Sequence, residues 1–298
     1  MLVTTSHAKV NLFLYIVGKH RTSRRHLLQS LFLKLNLADV ISVEECDSIV
    51  CNVVYKVGST PIIHGQNTVI KALNLLLEYA NCASMLSRKI SKYGAKIHIT
   101  KNIPIAAGLG GGSCNAASVL KLLLSLWKLN IGNDEMLKIA SIVGADVPFA
   151  FQDARCCFVE GIGEIFVPLK IGVEFELVLV NPMVEINTSM SYGMFEVNNA
   201  AKKLNDVFYG GQKINKNFVK WHIYNGQNDL YDIAFQLQPK ILDVINVLNQ
   251  QDGCIVSRMT GSGPTCFGIF HDVKLAKAAA YKIQNSYRWF VHYEHVEL

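Results

Sequence analysis

Apolar and polar positions along this chain repeat with two different periods, which separate strands from helices. Residues Ala8–Val17 (AKVNLFLYIV) are apolar and rich in β-branched side chains, the pattern of a strand. His26–Val43 has the same character, with a turn expected at Asn36–Asp39. Between them Gly18–Arg25 (GKHRTSRR) is polar and basic, and predicts a loop. Asn67–Tyr79 repeats apolar residues at helical spacing, and Lys96–Lys101 alternates like a half-buried strand. Ser113–Leu129 carries apolar residues on nearly every side, so a helix buried all round is expected there. Ser113 is its natural N-cap, and Asp134 suits the first turn of a further helix through Ile142.

After Asp153 the texture shifts to strands, at Cys156–Glu160, Ile165–Leu169 and Phe175–Val180. Gln236–Asn249 predicts one helix. Cys254–Met259 and Thr265–Phe270 predict strands around a TGSG turn, followed by a helix at Val273–Asn285 and a strand at Arg288–Val296. Strand and helix mix in both halves without strict alternation, which is an α+β pattern in two lobes. Asn198–Asn228 is polar and irregular and predicts an insertion or a mobile surface segment.

Composition narrows the class. The chain has 298 residues, half of them hydrophobic and 17% charged, which excludes a disordered polymer. The net charge of +6 suits an anionic substrate such as a phosphorylated metabolite. No dense Lys/Arg stripe interleaves with aromatics, so nucleic acid is not an expected partner. The eight cysteines include no CxxC pair, and most sit in apolar runs. They read as buried thiols in a reducing compartment rather than zinc ligands or a disulfide framework. Met1–Lys9 lacks the layout of a signal peptide, and the best apolar run, Val119–Leu126, is far too short to span a membrane. A cytoplasmic protein without a membrane partner is expected.

The chemistry concentrates at Gly108–Ser113. A strand, a short turn, a run of glycines and then a long helix form a recurring phosphate cradle. Glycines let the backbone approach the ligand, and the first helical N–H groups are unpaired and point at the anion. The Walker A pattern needs Gly-Lys-Ser/Thr, which is absent. The dinucleotide fingerprint needs a third glycine where Ser113 stands. A plain tight turn is the bland alternative, but it does not require four glycines in five residues.

Lys101–Ser118 (KNIPIAAGLGGGSCNAAS) closely resembles the second motif of the GHMP kinases, the superfamily of galactokinase, homoserine kinase, mevalonate kinase and phosphomevalonate kinase. The first and third motifs of that superfamily resemble Ala8–Phe13 (AKVNLF) and Met259–Phe267 (MTGSGPTCF), in the right order. Further likeness lies in HLLQSLF at His26–Phe32, NTVIKA at Asn67–Ala72, GADVPF at Gly144–Phe149 and NDL at Asn228–Leu230, and fades in Ala200–Gln227. The resemblance implies a two-lobed fold, with a ribosomal protein S5 domain 2-like N-terminal lobe and a ferredoxin-like C-terminal lobe. It implies an ATP-binding domain at 1–160 and a C-terminal domain at 161–298. Within the superfamily the likeness is strongest to members that phosphorylate the 2-hydroxyl of a cytidine-diphosphate-linked methylerythritol for isoprenoid precursors, with ATP as donor and magnesium as cofactor. A kinase of the homoserine or mevalonate type, or a fold kept as a non-catalytic binding module, are the alternatives. A monomer or weak homodimer is expected.

The same resemblance assigns roles. Asp146 becomes the base that takes the proton from the substrate hydroxyl, and Lys9 the cation that balances developing charge. A buried salt bridge or a helix-cap Asp is the bland reading of Asp146. ATP falls to Asn67, Lys101, Pro104, Ala106, Gly108, Leu109, Gly110, Gly111, Gly112 and Ser113, with the Ser113 hydroxyl also assigned to magnesium. Substrate falls to Asn11, Arg25, His26, Tyr192, Gly261, Ser262 and Gly263, with His26 offered to cytosine and Tyr192 to the face of the base. Asn11 lies two residues from Lys9 on a strand, so both side chains share a face. A solvated strand residue, a structural histidine and a packing tyrosine are the corresponding plain readings. One departure stands out. The family usually has Asp-Gly-Tyr before this histidine, where this chain has Ser23-Arg24-Arg25 and a loop one residue longer. An arginine there is able to stack on a base or pair a phosphate.

Overall fold

A computed structural model describes residues 1–58, 67–83, 93–195 and 216–298. The chain forms two compact units. One comprises Met1–Ala8, Asn36–Ile105 and Gly110–Asp153; the other comprises Lys9–Leu35, Ala106–Leu109 and Ala154–Leu298. Strands β1 (Leu2–Lys19) and β2 (His26–Cys46) contribute residues to both.

In the first unit the end of β2 pairs antiparallel with β4 (Gly94–Lys101), setting Val43 opposite Ile97. Strand β3 (Ile49–Tyr55), outside the elements expected from the pattern, runs parallel to β4. Helices α1 (Thr68–Cys82), α2 (Gly111–Trp127), α3 (Asn133–Val143) and α4 (Val147–Phe151) complete the unit. Its core joins Ile41, Val43, Ile97 and Ile99 to Leu73, Leu76, Leu120 and Leu123. Most of the circumference of α2 is buried, as its apolar pattern requires. Asp134 and Glu135 do lie in the first turn of α3, where a carboxylate complements the helix dipole.

In the second unit the start of β2 pairs with β5 (Cys156–Gly161), and β6 (Ile165–Pro168) pairs with β5. A separate antiparallel sheet has the order β10-β7-β9-β8. Its parts follow as β7 (Glu174–Asn181), α8 (Lys240–Asn249), β8 (Cys254–Met259), β9 (Cys266–Phe270), α9 (Val273–Ser286) and β10 (Phe290–Glu297). That is the βαββαβ connection of ferredoxin-like folds. Between β7 and α8 come α5 (Thr188–Met194), α6 (Lys216–Asn225) and α7 (Tyr231–Leu237). Val178, Val180 and Phe270 pack under Val244, Leu248, Ala276 and Ile283.

Five expectations need correction. Asn36–Asp39 is not a turn, because β2 continues through it; Asp39 is tolerated in the strand since its carboxylate is fully hydrogen-bonded. Helix α2 is capped by Gly110, not Ser113. Gly110 sits at φ +67, a conformation that costs glycine little, so the helix starts two residues earlier than Ser113. The helix expected at Gln236–Asn249 is broken at Gln238–Pro239. Proline lacks an N–H and pushes the preceding residue out of helical geometry, here to φ −145. Of the segment expected to be irregular, Lys216–Asn225 is helix α6, while 198–215 lie outside the described residues. Finally, all eight cysteines are free, but Cys82 is exposed and Cys46, Cys51 and Cys254 are only half-buried.

Candidate active site

In the second unit, β1 carries Lys9 and Asn11 on one face, both almost fully buried. The Lys9 ammonium donates to Asn11 Oδ1 at 2.7 Å and lies 4.5 Å from the centre of the Phe32 ring. Asn11 Nδ2 donates to Ser30 Oγ at 2.9 Å, and the Ser30 hydroxyl donates to the Phe13 carbonyl at 2.5 Å. The Asn11 amide so orients the lysine, and its own orientation is set by β2. The Asn11 backbone N–H donates to Thr260 Oγ1 at 2.7 Å, and the Lys9 N–H to the Leu109 carbonyl at 2.9 Å.

The turn at Thr260–Thr265 packs against the start of the glycine run. Thr265 N donates to the Ala107 carbonyl at 3.3 Å. A Cβ on Gly108 would stand 2.7 Å from the Gly263 carbonyl oxygen and 2.8 Å from that of Thr260. One on Gly261 would stand 2.9 Å from the Gly108 oxygen. Both glycines have positive φ, so close approach and conformation each demand glycine here. Parts of the three expected motifs, at Lys9–Asn11, Ala107–Leu109 and Thr260–Thr265, therefore meet through backbone contacts and the Thr260 hydroxyl. Ser262 Oγ adds a 2.7 Å hydrogen bond with Thr188 Oγ1.

In the first unit, Gly110 opens α2 and the backbone N–H groups of Gly111, Gly112 and Ser113 form its first turn, which has no acidic residue. Gly112 is exposed, and a Cβ there would meet only Thr68 Oγ1, at 3.7 Å. This is an open positive helix end. Leading into it, Lys101, Asn102 and Ile103 converge on Asp39. Lys101 Nζ pairs with Asp39 Oδ2, while the Asn102 and Ile103 amides donate to Oδ1 at 2.7 and 2.9 Å. Lys101 Nζ also stands 3.1 Å from where a Cβ on Gly111 would be, so the ammonium lies beside the helix start. Pro104 is buried, and Ala106 is exposed at φ +49. Asn67 caps α1, accepting from Val69 N at 2.9 Å.

Asp146 is half-buried at the N-cap position of α4, but its side chain makes no capping hydrogen bond. Ser113 Oγ lies 3.8 Å from a Cβ placed on Gly144, which brings that hydroxyl beside the Gly144–Asp146 turn. Among the described residues no group of three His, Cys, Asp or Glu is placed to hold a metal ion. The Ser113 hydroxyl and the Asp146 carboxylate are oxygen donors, the class that fits a magnesium ion taking its other oxygens from phosphate and water.

His26 begins β2. Its ring centre lies 5.5 Å from that of Tyr192 and 5.9 Å from that of Phe195. Its Nε2 is buried and, among the described residues, meets no hydrogen-bond partner. Burial holds the imidazole below its ordinary pKa, so the ring is neutral near pH 7. Arg25 is exposed, and its carbonyl accepts from His20 N at 2.8 Å. Asp39, Ser30, Thr260 and Asn228 take no role in the expectations from sequence. Ser30 and Asp39 are small polar residues set among apolar ones, which is costly unless paired, whereas Asn228 and Thr260 stand inside the NDL and MTGSGPTCF motifs.

Residues 67–161 match the family model of the GHMP kinases N terminal domain, and residues 218–288 that of the GHMP kinases C terminal. The 4-diphosphocytidyl-2-C-methyl-D-erythritol kinase of Wolbachia pipientis wMel is 38% identical over 291 residues, 95% of this chain and 94% of its own length. A crystal structure of 4-(cytidine 5'-diphospho)-2C-methyl-D-erythritol kinase superposes with a TM-score of 0.71 at 26% identity, covering 98% of each chain. The mevalonate kinase of Methanococcus jannaschii shares the fold alone, with a TM-score of 0.62 at 15% identity over 100% of this chain and 98% of its own. The chain belongs to the GHMP kinases, in the family of the 4-diphosphocytidyl-2-C-methyl-D-erythritol kinases, and is a small-molecule kinase.

Proposed function

We propose that this kinase transfers the terminal phosphoryl group of ATP to the 2-hydroxyl of 4-diphosphocytidyl-2-C-methyl-D-erythritol, in the synthesis of isoprenoid precursors. The full-length similarity to enzymes of that name supports the substrate. The observation that carries the chemistry is the acid-free, glycine-lined start of α2, a seat for a polyanion. In this reading Gly108–Ser113 hold the ATP phosphates, with Asn67, Lys101, Pro104 and Ala106 around the nucleotide. Asp146 takes the hydroxyl proton, the alkoxide oxygen attacks the γ-phosphorus, and the bond to the β-phosphate oxygen breaks to release ADP. Lys9, held in place by Asn11, balances the charge that builds on the transferring oxygens. Magnesium, bound through Ser113 Oγ and phosphate oxygens, would supply further charge neutralisation.

His26 supports recognition of cytosine, because a buried ring nitrogen without a partner gains a hydrogen bond from a bound base. Tyr192 supplies an aromatic face beside it. Gly261–Gly263 and Arg25 contribute to the substrate phosphates. If Arg25→Ala leaves substrate KM unchanged, that role for Arg25 is wrong. The same reading makes 1–160 the ATP-binding domain and 161–298 the C-terminal domain, of a cytoplasmic monomer or weak homodimer.

ADP release measured side by side with the cytidyl substrate, mevalonate and homoserine tests the proposal. Turnover is expected with the first alone; turnover confined to another alcohol overturns the substrate, and none with any overturns catalysis. Asp146→Asn is expected to abolish turnover while ATP still binds, and full activity would remove Asp146 from its role.

A further inference from the structure

Asn228 sits where the first and third motifs meet. Its own backbone is fixed to β1 from both sides: Leu14 N donates to the Gln227 carbonyl and Asp229 N to the Leu14 carbonyl, each at 2.9 Å. The Asp229 carboxylate adds a bond from Ile16 N at 2.8 Å. From this fixed base the buried Asn228 side chain reaches the glycine turn. Nδ2 donates to the carbonyls of Met259 at 2.9 Å and Gly261 at 2.8 Å, while Oδ1 accepts from Leu230 N at 3.0 Å. The two carbonyls flank Thr260. Thr260 in turn holds Asn11 N through its hydroxyl, and its carbonyl accepts from Gly263 N at 3.0 Å.

We propose that Asn228 is a positioning residue for phosphoryl transfer, which ties the Thr260–Gly263 turn to β1 and so sets the placement of Asn11 and Lys9. This inference rests on the function proposed above. The side chain spends both amide protons on the turn and its oxygen on the start of α7. The two jobs are separable, because aspartate keeps the oxygen and loses both donors. It would also set an anionic oxygen against two carbonyl oxygens.

The test uses Asn228→Asp, Thr260→Val and Thr260→Ser in the full chain. Asn228→Asp and Thr260→Val are expected to lower kcat by roughly tenfold to a hundredfold, as for a small displacement of reacting groups. KM for ATP should stay within about threefold, and Thr260→Ser, which keeps the hydroxyl, should retain wild-type kcat. Amide hydrogen exchange should rise at 259–265 in Asn228→Asp and not elsewhere in β8 and β9. Wild-type kcat in Asn228→Asp shows that the asparagine only closes the turn that precedes α7 and overturns the inference. So does a loss of kcat in Thr260→Ser equal to that in Thr260→Val. A wild-type chain inactive on the cytidyl substrate refutes the proposed function instead, and the exchange measurement then still decides whether Asn228 holds the turn.

Discussion

The Asp39 carboxylate and the Lys101 ammonium form an ion pair at the exit of β4, with Asp39 fully buried and the Lys101 side chain 10% exposed. Asp39 also accepts the next two backbone amides, so one side chain fixes the direction of the chain as it enters the glycine run. Removing one partner leaves the other charge uncompensated. Lys101→Met is expected to cost about 3 kcal/mol or more of unfolding free energy in urea titrations. The double variant with Asp39→Leu should be less destabilised than the sum of the two single changes. Simple additivity would show that the pair does not act as a unit.

Two glycines of the cradle should respond in opposite ways. Gly108→Ala places a Cβ against two backbone carbonyl oxygens at positive φ, so backbone has to shift to admit it. Loss of turnover together with a lowered melting temperature is the expected result. Gly112→Ala meets one hydroxyl at ordinary contact distance within a helix, where alanine is favoured. It should melt no lower than the wild type, and should raise KM for ATP through the methyl group at the phosphate seat. Equal melting temperatures for the two variants would contradict the contacts drawn here.

The neutral state of His26 sets a pH profile. Burial lowers its pKa, so the midpoint of its protonation lies below the ordinary value of 6.5. KM for the cytidyl substrate should rise as pH falls below neutrality, and His26→Gln should remove that rise. A KM that climbs between pH 7 and 8 would oppose this assignment.

At the edge strand β10, His295 Nδ1 stands 2.8 Å from the buried carboxylate of Glu176, which also accepts from the Tyr293 hydroxyl at 2.6 Å. The hydrogen bond to Glu176 raises the His295 pKa, with the Glu176, Glu174 and Glu297 charges adding to the effect. A pKa raised on folding stabilises fully below the unfolded value near 6.5, and that stabilisation is lost as pH rises through the folded value. The imidazole is half exposed, so its contribution is no more than about 1 kcal/mol. His295→Gln should therefore lower the melting temperature at pH 6 and have little effect at pH 9. The same decrease at both values would exclude the charge pair as its source.

Local signals in the chain carried far. Glycines at Gly108 and Gly110 announce a backbone that other residues adopt at a cost, and the apolar surface of α2 announces burial. Proline at 239 announces a break as well, but the apolar periodicity on either side of it hides the break when hydrophobicity alone is followed. Polar residues within strands were less legible. Asp39 in LNLADV looks like part of a turn when its partners are unknown, because an unpaired carboxylate does not belong in a buried strand.

The sequence by itself determined the kinase family, the glycine cradle and the order of the motifs, since each depends on residues adjacent in the chain and on what their backbone is able to do. Tertiary structure alone decided the partnerships: Asp39 with Lys101 across 62 positions, and Asn11 with Thr260 across 249. The physical reason is that a hydrogen bond needs its two atoms within about 3 Å. Which distant atoms come that close is settled by strand pairing and core packing, and no local pattern encodes it.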